Sequence, residues 1–274
     1  MENCKRIAVS VDFTKTSRHS FKEALFLGQR TGFEVVLVHI NSDRNKTEAD
    51  FEELIEEMVV EAGDRARNVE VNHRIIPGNK GDVVERLSQT FDQLNPVYLV
   101  IGYEIKTGFG KLLGPNIQKI IYETKYPVIA LKNEERIDQL KTLYFPLTLS
   151  NYSRQKTNIS IKLVQDMDLE LVLLPLKINH TKKDDVHMDI MVKNMVEKFI
   201  SSEIRYRIQY LEGKDELDLV LGVTHDDNYS LTSVVFESSP DFFDRFMKSR
   251  EEKLLERTKD PLLIVKSHHS PYLY

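Results

Sequence analysis

The sequence is poor in the residues that usually reveal a specialised class of protein. Its single cysteine, Cys4, excludes an intramolecular disulfide and a cysteine-based metal cluster. There is no tryptophan, and no apolar run reaches the roughly 18 residues that suggest a transmembrane helix. The N-terminus leads straight into a strand-like stretch without signal-peptide architecture. We therefore expect a cytoplasmic protein that has no membrane partner.

Neither sign of charge dominates the chain. The formal net charge is −5 over 274 residues, and the two halves share it almost evenly. Neither half is basic enough for a nucleic-acid-binding surface. The acidic run 48–57 carries its apolar residues at helical spacing, which is typical of a solvated helix face rather than a metal site. We expect neither a nucleic acid nor a metal ion bound by side-chain clusters.

Three segments of the first half recur in the second half. The matching pairs are 6–13 with 142–149, 34–40 with 170–176, and 127–132 with 261–266. Because the three matches keep the same order and nearly the same spacing, they indicate a duplication. The sequence therefore predicts two domains, 1–136 and 137–274, each near the usual domain size.

Strand-like and helical patterns alternate in the first copy. Strands are predicted at about 6–11, 34–40, 69–76, 97–102 and 127–132, with apolar residues at helical spacing between them. Such alternation requires βαβ crossovers, so it predicts an α/β fold with a doubly wound parallel sheet. The third strand alternates polar and apolar residues, as a half-exposed edge strand does. This favours the strand order 3-2-1-4-5.

The second copy departs from the first ahead of its last strand. Alignment of Gly222 with Gly102 makes 219–222 the fourth strand, and only three residues, 214–216, separate Gly213 from the apolar run that begins at Leu217. Parallel neighbours need a crossover of a dozen residues or more. We therefore expect a remodelled segment over 204–247, in which two strands form an antiparallel pair or one leaves the sheet. For the extra length we expect an added strand at 231–236 and a new helical turn at 240–246.

Two features of the first copy resemble the universal stress protein family. One is the opening strand that ends in Asp12-Phe13, with Ser17 shortly after it, and the other is the glycine-rich stretch 100–116. The resemblance covers nearly the whole first copy, but in the second only the first two strands, 219–222 and the last strand. It implies tandem domains of the adenine nucleotide alpha hydrolase-like fold and a stress-response regulatory protein.

The resemblance also implies a ligand site in the first copy. The ligand would be ATP or another adenine nucleotide, with magnesium. Glycines let the backbone approach phosphates, and the next helix presents free N–H groups at its N-terminus. The adenine would lie beside Asp12 and the backbone near Ile40, and the ribose and phosphates would be lined by Gly102, Gly108, Gly114 and Asn116.

Departures from the family pattern leave a second interpretation open. Ile105 stands where the family has its second glycine, and Pro115 follows Gly114 in place of serine or threonine. Proline removes both an N–H group and the hydroxyl that a phosphate would use. In the second copy Thr148 replaces the aspartate, and no glycine follows Gly222. The alternative is a nucleotide-independent interaction or dimerisation module of the same fold, with no cofactor.

No recognised catalytic motif accompanies these features. The chain lacks a His-x-Gly-His motif, a P-loop and a Gly-x-Ser-x-Gly elbow. We predict that it is not an enzyme, with a weak ATPase or a nucleotidyl transferase as the competing hypothesis. The resemblance further implies an intrachain pseudo-dimer through the last strands, 127–132 and 261–266. A homo-oligomer and an unidentified protein partner stay open.

Overall fold

The computed structural model describes residues 5–43, 45–78, 83–104, 115–132, 135–179, 181–224, 229–237 and 250–267, without the side chains of residues 115 and 116. The chain divides into two compact units, Met1–Asp138 and Gln139–Tyr274. Each unit contains a parallel sheet and the helices that connect its strands.

Strands and helices alternate in the first unit as the sequence predicts. Its strands are β1 (Arg6–Ser10), β2 (Glu34–Asn41), β3 (Val71–Pro77), β4 (Tyr98–Tyr103) and β5 (Val128–Lys132). Its helices are α1 (Lys15–Thr31), α2 (Glu48–Ala62), α3 (Val83–Leu94) and α4 (Pro115–Glu123), with a 3-10 turn at Gly63–Ala66. All pairings in this unit are parallel, in the order β3-β2-β1-β4-β5. This confirms the predicted order 3-2-1-4-5.

Burial explains why these strands have different sequence patterns. The central residues of β1 and nearly all of β2 are buried, so both strands are continuously apolar. In β3 exposed residues alternate with half-buried ones, as expected for an edge strand. The helices fill both faces of the sheet with large side chains such as Phe21 of α1 and Phe91 of α3, which are fully buried.

The second unit repeats the same topology. Its strands are β6 (Thr142–Leu147), β7 (Glu170–Ile178), β8 (Tyr206–Ile208), β9 (Leu211–Gly213), β10 (Ser230–Phe236) and β11 (Leu262–Lys266). Its helices are α5 (Thr157–Met167), α6 (Lys182–Ser201), α7 (Glu216–Thr224) and α8 (Arg250–Arg257), with a 3-10 turn at Asn151–Arg154. The order is β11-β10-β6-β7-β8, all parallel, and β9 continues the pairing with β7 where β8 stops. Because β8 and β9 form one interrupted third strand, the order is again 3-2-1-4-5.

The predicted alignment of 219–222 with the fourth strand is wrong. These residues lie in α7, where Leu217, Val220 and Leu221 are buried and Gly222 is exposed, which is a helical rather than a strand pattern. The fourth strand is β10, parallel to both β6 and β11. Since α7 supplies the crossover, the second unit needs neither the antiparallel pair nor the loss of a strand. The helical turn predicted at 240–246 lies outside the described residues.

Two helices at corresponding places in the two units begin in the same way. At the start of α2, the Thr47 hydroxyl accepts from the Asp50 N–H group while the Asp50 carboxylate accepts from the Thr47 N–H group. Thr181 and Asp184 form the same reciprocal pair at the start of α6. Each capping box satisfies backbone donors that the first helical turn leaves without partners.

Candidate functional site

The first candidate site lies where the strand order of the first unit reverses. β1 pairs with β2 on one side and with β4 on the other, all three parallel, so their carboxyl ends meet at one edge of the sheet. Ligands of open α/β sheets bind in the crevice at such a point. Asp12 follows β1, Ile40 is near the end of β2, and Gly102 is near the end of β4. The fold therefore brings these three predicted residues to the same edge.

The backbone of Ile40 faces this crevice. In a strand, the polar groups of successive residues point to opposite neighbours. The carbonyl group of Val38 accepts from Val11 on the β1 side at 3.0 Å, and that of Asn41 accepts from Gly78 on the β3 side. The N–H and C=O groups of Ile40 therefore point toward β1, beyond Val11, where that strand has ended. They offer a donor and an acceptor side by side.

Asp12 places a carboxylate next to that backbone. Its Oδ1 atom accepts from the Thr14 hydroxyl at 2.6 Å and from the Thr14 N–H group at 3.1 Å, and its own N–H group donates to the Ser17 hydroxyl at 3.3 Å. Partial burial opposes ionisation, but hydrogen bonds with Thr14 and Ser17 outweigh it and lower the pKa of Asp12. The side chain is therefore a carboxylate at neutral pH, and the residue is accessible to solvent.

An aromatic cluster holds the turn after β1. Phe13 has a φ angle of 62°, a left-handed conformation that is uncommon for a bulky residue. Its ring packs on His39 and Phe51, with centroids 4.7 and 5.9 Å away. The His39 Nδ1 atom lies 2.9 Å from the Val11 carbonyl oxygen, and burial lowers the pKa of His39. A neutral imidazole that donates to Val11 thus fixes the direction in which the chain leaves the strand.

Gly102 has a structural role that needs no ligand. A Cβ atom at this position would lie 2.7 Å from the carbonyl oxygen of Thr16 and 2.9 Å from its Cγ2 atom. The missing side chain therefore lets the start of α1 lie directly against β4. The Thr16 hydroxyl also donates to the Glu104 carboxylate, one residue beyond the strand. The packing of α1 is sufficient to explain this glycine.

The other residues predicted to bind the nucleotide give no information on the geometry of the site. Gly108 and Gly114 lie outside the described residues, and Asn116 lies in α4 without a described side chain. Among the residues that the structure describes, no group of three or more His, Cys, Asp or Glu residues could hold a metal ion. None of the helices in the described ranges is long and apolar enough to cross a membrane. The fit to a nucleotide therefore depends on Asp12 and Ile40.

The second unit builds the same turn with different side chains. The Thr148 N–H group donates to the Ser153 hydroxyl at 3.1 Å, as Asp12 does to Ser17. The Ser150 N–H group donates to the Thr148 hydroxyl at 3.3 Å, as Thr14 does to Asp12. The backbone geometry of the crevice is thus kept, but its carboxylate is replaced by a neutral hydroxyl.

Beside this turn lies a cavity that the sequence analysis missed. Its volume is about 230 Å³, and it lies at the carboxyl ends of β6 and β10. The Lys156 side chain lines it although only 3% of the residue is exposed. Its Nζ atom donates to the Pro146 carbonyl oxygen at 2.7 Å and lies 4.5 Å from the centre of the Phe145 ring. The sequence contains one sign that Lys156 is buried. It falls on the same helix face as Ser160 and Leu163, which are both buried.

Charged groups of α7 and α8 meet Lys156 in the cavity. Glu216 forms an ion pair with Arg250, and both line the cavity. Burial lowers the pKa of Lys156 to about 7, although Glu216 acts in the opposite direction. Burial also raises the pKa of Glu216, against the effects of Arg250 and Lys156. In both groups burial opposes the charged form, so the pKa of Lys156 is lowered and that of Glu216 is raised.

Comparisons with known proteins agree with this architecture. Residues 3–132 match the model of the universal stress protein family. The chain is similar to a universal stress protein from Archaeoglobus fulgidus DSM 4304, with 15% identity, a TM-score of 0.72, and 96% and 98% of the two chains covered. A functionally unknown protein from Pseudomonas aeruginosa PAO1 has 11% identity, a TM-score of 0.66 and 96% and 93% coverage. A search of curated proteins found no match.

Proposed function

We propose that the protein is a universal stress protein, whose family model residues 3–132 match, and that it is a cytoplasmic stress-response regulator that binds an adenine nucleotide in its first unit. The observation that carries the proposal is the donor and acceptor pair of the Ile40 backbone, which faces the crevice beside the Asp12 carboxylate. No catalytic step is part of the proposal.

The chemistry of this edge suits the adenine base. The Ile40 N–H group can donate to a ring nitrogen and its C=O group can accept from the exocyclic amine, which is the pattern along one edge of adenine. The Asp12 carboxylate can accept a further hydrogen bond, since a carboxylate has about four lone-pair sites and the Thr14 donors both bind its Oδ1 atom. The ribose and phosphates, with magnesium, would extend toward Gly102, Gly108, Gly114 and Asn116.

One observation favours a second function, a nucleotide-independent interaction module. Gly102 is the one predicted phosphate-side residue whose surroundings are described, and its lack of a side chain is used by Thr16. In this alternative the edge of the sheet is a structural remnant, and the regulatory role depends on a protein partner. The two functions differ in whether ATP binds.

Calorimetric titration of the whole chain with ATP and magnesium distinguishes them. We expect Asp12→Ala to weaken binding by at least about tenfold, because a hydrogen bond to a charged group contributes roughly 1.5–3 kcal/mol. Thr148→Ala is the matched control. Each substitution removes the side-chain oxygen that accepts from the backbone N–H group two positions later, but only Asp12→Ala removes the proposed ligand contact.

Three results are informative. Binding that Asp12→Ala weakens and Thr148→Ala leaves unchanged supports a site in the first unit. Equal losses in both variants would contradict a site confined to that unit. Absence of heat at millimolar ATP, with the unfolding temperature also unchanged, would leave the interaction module as the function.

A further inference from the structure

The cavity of the second unit has the composition of a covalent binding site. We propose that it takes a small, neutral hydroxyaldehyde, which forms an imine with the amine of Lys156 while Glu216 transfers the protons. The inference goes beyond nucleotide binding and does not depend on it, because its residues all lie in the second unit. Three observations carry it: the surroundings of the amine, the position of an acid, and the size and charge of the cavity.

The surroundings of Lys156 suit a neutral amine. A lysine ammonium group has three donors, and among the described residues the Nζ atom finds one oxygen acceptor, the Pro146 carbonyl. The face of Phe145 gives weaker support. A neutral amine needs fewer acceptors and keeps a lone pair, so at neutral pH a large fraction of Lys156 is nucleophilic. If the only role of Lys156 were to donate to the Pro146 carbonyl group, no cavity would be needed beside its amine.

Glu216 is the proton carrier that imine formation requires. The amine lone pair attacks the aldehyde carbon, and Glu216 carries one proton from the nitrogen to the carbonyl oxygen to give a carbinolamine. That hydroxyl group then leaves as water with a proton from the Glu216 carboxyl group, and the proton lost by nitrogen returns to Glu216. One aldehyde and one amine give one imine and one water, with no oxidant or reductant. Burial keeps the pKa of Glu216 raised, which suits such a shuttle.

Size and charge define the class of aldehyde. Benzene occupies a cavity of roughly 150 Å³, so a cavity of about 230 Å³ suits a molecule of similar size or slightly larger. The lining carries three carboxyl groups, on Glu216, Glu237 and Glu251, against the basic groups of Lys156 and Arg250. An anionic oxoacid would be repelled. The hydroxyls of Thr148, Ser150 and Ser153 in the lining favour a ligand with hydroxyl groups of its own.

Reductive trapping tests the proposal on the whole chain. The protein is treated briefly with D-glyceraldehyde and cyanoborohydride near neutral pH, and each lysine is scored by peptide mass spectrometry. We expect Lys156 to be labelled at least about tenfold faster than any other lysine, because an ordinary lysine is almost fully protonated there. Lys156→Met should abolish the fast phase. Lys162→Met, within α5, should leave it unchanged.

Two further measurements define the roles of the cavity and the acid. Glyoxylate, a small anionic aldehyde, should label Lys156 several-fold more slowly than glyceraldehyde. Glu216→Gln should slow Lys156 labelling by roughly the 10²-fold or more that a general acid–base group contributes, while the labelling of other lysines stays constant. This variant keeps the nucleophile, so it reports on proton transfer even if Lys156→Met fails to fold.

The outcomes separate cleanly. Preferential labelling of Lys156 that depends on Glu216 and favours glyceraldehyde supports the proposal. Labelling of Lys156 no faster than that of exposed lysines would overturn it and leave a structural lysine. Fast labelling that favours glyoxylate would overturn the proposed class of ligand. None of these results depends on whether the first unit binds ATP.

Discussion

At the level of single residues, Gly102 and Gly222 have opposite surroundings. The Cβ atom of an alanine at 102 would meet the Thr16 backbone at 2.7 Å, whereas one at 222 would have no atom within 4 Å. We expect Gly102→Ala to destabilise the protein by about 1–3 kcal/mol, as overpacking against backbone does. Gly222→Ala, in α7, should be neutral or stabilise by up to about 1 kcal/mol because alanine favours helix.

The free energy of unfolding in urea, measured for both variants, tests this pair. If Gly102→Ala left the unfolding midpoint unchanged, the contact between α1 and β4 would have to be looser than the structure shows. If both variants lost the same free energy of unfolding, the two glycines would have equivalent surroundings, as the sequence alignment assumes.

Lys156 makes stability depend on pH in an unusual direction. The unfolded chain holds the lysine proton up to the ordinary pKa of 10.5, whereas the folded chain releases it near pH 7. Between these values unfolding takes up a proton, so the free energy of unfolding rises with pH, by about 1.4 kcal/mol per pH unit. Urea unfolding at several pH values should show this slope as the difference between the wild type and Lys156→Met. Lys162→Met should follow the wild type.

The candidate sites were predictable from sequence to different degrees. Asp12 follows one apolar strand and Ile40 is near the end of the next, so the parallel pattern already places them at one edge of the sheet. The cavity around Lys156 was not predictable, because α7 and α8 enclose it and their charged residues are distant in sequence. A basic residue on an apolar helix face indicates burial, but only tertiary neighbours determine whether it has a partner.

At the level of elements, α7 shows where pattern reasoning failed. Leu219-Val-Leu-Gly222 is short and apolar, and such runs do not distinguish a strand from a buried helix. Because this run resembles the predicted strand that ends at Gly102, residues 219–222 were wrongly assigned to a strand. The requirement for a crossover between parallel strands was the better guide, since it demanded a helix between Gly213 and the next strand. The strands of the first unit were predicted correctly because their apolar runs lie between clear helical patterns.

The capping boxes give a prediction at this level. We expect Thr181→Ala to lower the free energy of unfolding by about 0.5–2 kcal/mol, because the hydroxyl that accepts from Asp184 is lost. Thr181→Ser keeps that acceptor and should stay close to the wild type. Chemical denaturation of both variants makes the comparison, and an equal loss in serine and alanine would show that the methyl group rather than the hydroxyl stabilises this turn.

For the whole molecule, the two units have the same topology and different chemistry. The first has a carboxylate at the end of its first strand, and the second has Thr148 and a buried lysine. Pairing of the last strands in an intrachain pseudo-dimer stays a prediction, as do a homo-oligomer and a separate protein partner. Residues 3–132 match the model of the universal stress protein family, and the second unit repeats the topology of the first.

Hydrogen exchange on the intact chain tests this division of chemistry. With ATP and magnesium, we expect slower amide exchange in peptides from the ends of β1 and β2, because a ligand that binds only the folded state stabilises it. Peptides around Lys156 should exchange at the same rate with and without ATP. Protection that centres on the second unit would contradict the assignment of the nucleotide to the first.

The turn shared by Asp12 and Thr148 has a consequence for how such duplicated chains diverge. Its backbone requires a serine hydroxyl five residues later and an oxygen-bearing side chain at its first position, and aspartate, asparagine, serine and threonine all supply that oxygen. Selection can therefore exchange the recognition group in one copy at little cost to folding. Mutations that create a new specificity often lower the stability of the protein. A turn that accepts several residue types at its first position lets the ligand contact change with a smaller loss of stability.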